Sequence, residues 1–113
     1  MRYAVAILIA LTMPASAEDT GSANFMLPTC KGYVDSVVRP YKDAQIEFFE
    51  MGRCFGLVEG LAYTGAFCVP SGVNRNQAMA VVVKYIEARP ERMHEKFGIL
   101  ALEALTAAWP CKR

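Results

Sequence analysis

The chain has 113 residues, enough for one domain, and its 12 Lys+Arg against 11 Asp+Glu leave a net charge of +1. That balance, with no basic stripe, excludes a nucleic-acid binder of the usual electrostatic kind. With a single histidine and four cysteines, the composition points to a disulfide-braced domain rather than to a metalloenzyme.

The N-terminus reads as an address. Arg2 precedes the apolar run Ala4 to Met13, and Pro14 leads into Ala15-Ser16-Ala17, a small-x-small cleavage signature. A membrane anchor is the alternative, but a span needs roughly 20 apolar residues and this run is about half that. Residues 1–17 are therefore expected to be a cleaved signal peptide, leaving 18–113 as one domain outside the membrane.

Glu18 to Ala23 is small and polar, an expected flexible start. Asn24 would cap a short helical turn that Pro28 limits. Lys31 to Pro40 is ambiguous, although Tyr33, Val34, Val37 and Val38 suit a helix.

The longest helical pattern runs from Asp43 to about Ala66. Asp43, Glu47, Glu50 and Arg53 share a polar stripe. Ile46, Phe48, Phe49, Phe55, Val58, Leu61 and Ala62 lie opposite, and beyond Arg53 the polar stripe fades to Glu59, so that half is expected either to be buried on all sides or to meet another protein. Gly52, Gly56 and Gly60 repeat every fourth residue. Each costs about 1 kcal/mol relative to alanine inside a helix, so the stripe predicts a close approach by another backbone. A helix broken into two pieces is the alternative.

Phe67 to Asn74 is a turn-rich connection holding Pro70 and Gly72. Asn74, with Gln77 three residues on, signals an N-cap. Ala78, Val81, Val82, Tyr85 and Ile86 then give helical periodicity, and the cap and period outweigh the strand tendency of the valines. Arg89-Pro90 ends this helix. The last is expected to begin at Pro90 and to bury Met93, Phe97, Leu100, Ala101, Ala104 and Ala108. The predicted fold is all-α, a compact bundle of about four helices stapled by two disulfides.

Helix geometry ranks the three possible pairings of Cys30, Cys54, Cys68 and Cys111. In a continuous long helix, Cys54 and Cys68 lie about 20 Å apart along the axis. A disulfide needs Cα atoms roughly 4.4–6.8 Å apart. Antiparallel packing brings the ends of the long and last helices to one pole, which pairs Cys68 with Cys111 and leaves Cys30 for Cys54.

Nothing in the sequence marks an active site. His94 has Glu91 and Glu95 as neighbours but no second histidine, and no nucleophile motif occurs. No catalytic residue, metal or cofactor is expected. Glu59, on the apolar part of the long helix, reads as a surface edge residue, a buried hydrogen-bonded carboxylate or a partner contact.

Several segments in order carry a likeness: N-F-M-L-P-x-C-K at Asn24 to Lys31, and G-x-C-x-G-x-V-x-G-L at Gly52 to Leu61. F-C-V-P-S-G-V-N-x-x-Q at Phe67 to Gln77 and V-V-V-K-Y-I at Val81 to Ile86 follow. Then come P-E-R-M-H-E-K-F at Pro90 to Phe97 and A-L-x-A-A-W-P-C at Ala104 to Cys111. Together they resemble the Rap/Tai-type immunity protein family of Gram-negative bacteria. The resemblance implies a periplasmic, non-enzymatic, disulfide-bonded helical protein, with dimerisation among its relatives. It further implies a partner, a peptidoglycan-cleaving amidase effector of type VI secretion, blocked by occlusion of its groove. The candidate plug is the loop Val69, Pro70, Ser71, Gly72, Val73, Asn74 and Arg75, held at its base by Cys68; a plain interhelical turn is the alternative. A periplasmic chaperone or stress protein with no toxin partner is the competing function.

Overall fold

The computed structural model describes residues 19–38 and 48–112. Residues 1–17, expected to be a signal peptide, Glu18, the Arg39-Pro40 stop and the start of the polar stripe at Asp43 and Glu47 lie outside them. Four helices follow one another: α1 (Ala23–Val38), α2 (Phe48–Ala62), α3 (Arg75–Glu87) and α4 (Phe97–Ala108), with a 3-10 turn at Pro90–Arg92 before α4. No strand occurs among the described residues, so the fold is the all-α bundle the periodicity predicts.

The segment expected to be loose is tied down. The Asp19 carboxylate accepts hydrogen bonds from the Ser22 hydroxyl and from the Ser22 and Gly21 N–H groups. The Ser22 contacts, the hydroxyl above all, hold the Asp19 pKa below its ordinary value. Ser22 in turn accepts from the Phe25 N–H at 3.4 Å, so Ser22 rather than Asn24 caps α1. Nor does Pro28 stop the helix, which continues through it. Proline cannot bond the Asn24 carbonyl four residues back, but Asn24 and Pro28 are both exposed, where water can serve that carbonyl.

The start of α1 also explains why the last helix does not begin at Pro90. The Asn24 and Ala23 N–H groups donate to the carbonyls of Met93 (2.8 Å) and Glu95 (2.9 Å). The Phe97 N–H donates to the Gly21 carbonyl at 2.9 Å. A continuous helix would need those two carbonyls for its own ladder. Instead the chain makes one 3-10 turn, crosses the start of α1, and begins α4 at Phe97.

The core is one cluster to which every helix contributes. Met26, Leu27 and Cys30 come from α1, and Cys54 and Val58 from α2. From α3 come Met79, Val82, Val83 and Ile86, and from α4 Phe97, Leu100, Ala101, Ala104 and Leu105. On α3 the buried face is turned by one residue from the expected one: Met79 and Val83 are buried, while Ala78, Val81 and Tyr85 sit half-buried at its edge. On α4, Leu105 is buried and Ala108 is exposed, because the helix ends at Ala108 beside the departing tail.

Both expected disulfides are present. Cys30–Cys54, with Cα atoms 5.5 Å apart, joins α1 to α2 inside the core. Cys68–Cys111, with Cα atoms 4.9 Å apart, joins the α2–α3 connection to the tail after α4. The pairing holds although α2 ends at Ala62, four residues earlier than its periodicity suggests. Tyr63 and Thr64 form a turn there, and Gly65 has φ +70°, a left-handed conformation suited to glycine.

The glycine stripe behaves otherwise than predicted. A Cβ added at Gly52, Gly56 or Gly60 would meet nothing within 4 Å, and all three glycines are exposed. Among the described residues no second backbone approaches them, and α2 presents an open face. Gly56→Ala is therefore expected to raise stability by about 0.5–1 kcal/mol, through the smaller entropy loss of alanine in a helix. A shift of the urea midpoint to higher concentration at constant slope checks it; destabilisation would mean that the position is crowded.

A charged network holds the opposite end. Arg92 binds Glu95 (2.8 Å) and Glu103 (2.7 Å), tying the 3-10 turn to α4. Its hydrogen bonds lower the pKa of both carboxyls, and theirs raise that of the guanidinium. Glu95, a neighbour of His94 in sequence, is thereby engaged by Arg92, and His94 itself is exposed. On the other side Lys31 of α1 reaches Glu87 of α3 at 2.7 Å, an exposed pair of small energetic weight.

Candidate functional site

At the pole where α2 ends and α3 begins, the connection between them runs beside a groove of about 370 Å³. Its floor is made by Val58, Phe67, Met79 and Leu105, which are also core residues. Its walls are Phe55, Ala62 and Tyr63 on one side and Val69, Val73 and Ala78 on the other, so the lining is largely apolar. Tyr63, 85% exposed, stands at the edge, and Val69 is also exposed. An apolar concavity bordered by exposed apolar side chains is the usual form of a binding surface.

One ion pair crosses the rim. Arg75, the first residue of α3, binds the Glu59 carboxylate of α2 at 3.1 Å and lies 5.3 Å from the centre of the Phe55 ring. The side chain of Glu59 is 29% exposed, so it belongs to a groove edge, neither fully buried nor free in solvent. Phe55 also packs against Tyr33, with ring centroids 5.8 Å apart. The Tyr33 hydroxyl donates to Asn76 at 3.1 Å, so α1 buttresses the wall from behind.

The seven loop residues singled out from the sequence divide into two sets. Val69, Val73, Asn74 and Arg75 line the groove. Pro70, Ser71 and Gly72 form the exposed crest of a turn closed by the Val73 N–H donating to the Pro70 carbonyl at 3.3 Å. Gly72 has φ +91° at the third position of that turn, where a type II geometry requires glycine. Asn74 caps α3 as expected, accepting from the Gln77 N–H at 2.9 Å.

The loop is fastened at both ends. Behind Val69, Cys68 is bonded to Cys111 and its N–H donates to the Trp109 carbonyl at 2.9 Å. Ahead of Val73 the chain enters the capped helix α3. A short turn fixed in this way presents its crest at little further entropic cost.

Of the groove residues, Phe55 and Ala62 belong to the half of the long helix expected either to be buried on all sides or to meet another protein, whereas Tyr63, Phe67, Ala78, Met79 and Leu105 were not marked by the sequence as a site. Their signal was indirect: the Cys68–Cys111 pairing implies that the end of α2, the connection and the end of α4 share a pole. Chemically the groove offers apolar surface, one ion pair and a capping amide, which suits binding. Among the described residues no group of three potential metal ligands occurs.

No helix of the described residues is long and apolar enough to cross a membrane. No curated protein and no solved structure matches the chain significantly. The family model for Rap1a immunity proteins matches residues 15–111, through the last cysteine. The chain belongs to the Rap1a immunity protein family.

Proposed function

We propose that this protein is a periplasmic immunity protein that neutralises a peptidoglycan-cleaving amidase effector of type VI secretion by occluding its substrate cleft. Family membership supports the immunity role, and neutralisation by occlusion requires binding rather than turnover. Two disulfides suit an oxidising compartment, and the leader-like residues 1–17 suit export into it.

The observation that carries the binding surface is the pairing of a fastened turn with an apolar groove. Pro70-Ser71-Gly72 project as the plug, while Val69, Val73 and Tyr63 offer apolar contact beside it. Ser71 and Val69 are exposed, so changing them leaves the core untouched.

Val69→Asp and Ser71→Trp are therefore expected to weaken effector binding by about 30-fold or more each, the effect of losing a contact worth about 2 kcal/mol. Helicity and thermal midpoint should stay close to those of the parent. Calorimetric titration of the effector checks this. Unchanged affinity in both variants would remove the loop from the interface.

A further inference from the structure

The two disulfides differ in the way that decides thiol exchange, which is access. Cys30 and Cys54 are both 0% exposed and sit among core side chains from α1 and α2. Cys68 is exposed and Cys111 half-exposed, both in irregular chain outside the helices. A thiolate must reach a sulfur along the S–S axis, so a buried bridge reacts only when the domain opens, whereas an exposed one reacts from the native state.

The exposed bridge also lies where opening it has a local consequence. It joins the base of the groove loop, one residue before Val69, to the tail after α4. Apart from the bridge, the main-chain link between these segments among the described residues is the hydrogen bond from the Cys68 N–H to the Trp109 carbonyl. The helices have separate supports: the core cluster, the Cys30–Cys54 bridge, the Asn74 cap on α3 and the Arg92 network on α4.

We infer that Cys68–Cys111 is a thiol-exchange site for a dithiol reductant, and that its opening loosens the groove loop while the helical core stays folded. One thiolate of the dithiol attacks Cys68 Sγ, the Cys68–Cys111 bond breaks, and Cys111 leaves as a thiolate that takes up a proton. The second thiol of the reductant then attacks the mixed disulfide, releasing Cys68 as a thiol. The dithiol departs as its disulfide, having supplied two electrons. The inference concerns this chain alone and holds whether or not the amidase is the partner.

The test is a time course of the oxidised protein in dithiothreitol, quenched with an alkylating agent and mapped by mass spectrometry of its peptides. Label is expected at Cys68 and Cys111 on the order of tenfold or more sooner than at Cys30 and Cys54, as access only through opening implies. In the doubly labelled species, helical ellipticity should persist while amide exchange accelerates between Tyr63 and Val73. Trp109, the only tryptophan, two residues from Cys111, gives a second readout through a change in its fluorescence. The Cys68→Ser/Cys111→Ser protein should show the same faster exchange without any reductant. Simultaneous labelling of all four cysteines, or earlier labelling of Cys30 and Cys54, would overturn the inference. So would loop exchange unchanged by opening of the bridge.

Discussion

Phe97→Ala is expected to cost about 3–5 kcal/mol of folding stability, the range for emptying a buried aromatic position. Phe97 is 0% exposed and is the largest fully buried side chain among the described residues. It begins α4 where the chain crosses the start of α1, and its N–H is held by the Gly21 carbonyl. The ring therefore packs where the two helix starts meet, and the backbone bonds on either side limit how far the site can collapse. A loss of this size is a large share of the roughly 5–15 kcal/mol that holds a domain together. Urea unfolding at neutral pH measures it, as a lower midpoint at nearly constant slope. A loss below about 1 kcal/mol would mean that the core does not close on this ring.

The second large effect is removal of the buried bridge. Cys30→Ala/Cys54→Ala should lower stability by about 3–5 kcal/mol. The closed segment has a sequence separation of 24, for which the chain-entropy relation gives about 3.4 kcal/mol. Loss of two fully buried sulfurs then adds a packing cost, because alanine fills less of the space. The expected readout is a thermal midpoint lower by more than about 10 °C in a domain of this size. A shift of only a few degrees would show that α1 and α2 are held together chiefly by other contacts, such as the Arg53 guanidinium 5.8 Å from the centre of the Phe25 ring.

Much of the fold was legible because its signals were local or geometric. Asn74 with Gln77 marked the start of α3, and the helical period marked α3 and α4. Helix length excluded Cys54–Cys68 as a pair even though α2 proved shorter than its pattern. The misses arose where distant chain segments compete for the same groups. Asn24 looked like a cap, but Asp19 organises Ser22 to do that work. Pro90 looked like the start of a helix, but α1 takes the Met93 and Glu95 carbonyls that such a helix requires. No sequence pattern records that competition. The glycine stripe misled for a related reason: it shows where a backbone can approach, not whether one does.

The candidate site was half legible. Pro70 and Gly72 announced a tight turn, and Cys68 announced a fastened base. The apolar wall of the groove was announced only as an alternative to full burial, because Phe55 and Ala62 follow the same periodicity as core residues. Only the three-dimensional end of α2 leaves them facing a concavity rather than a neighbouring helix. Glu59 illustrates the same limit: its partner Arg75 lies across the turn, where helical spacing gives no hint of it.

The most direct measurement is a titration of the peptidoglycan amidase encoded nearest to this protein's gene with the oxidised protein, following hydrolysis of cell-wall peptides. Stoichiometric loss of amidase activity, accompanied by a stable complex on size-exclusion chromatography, is the expected result. Full amidase activity in the presence of excess folded, oxidised protein, with no complex, would contradict the proposed neutralisation.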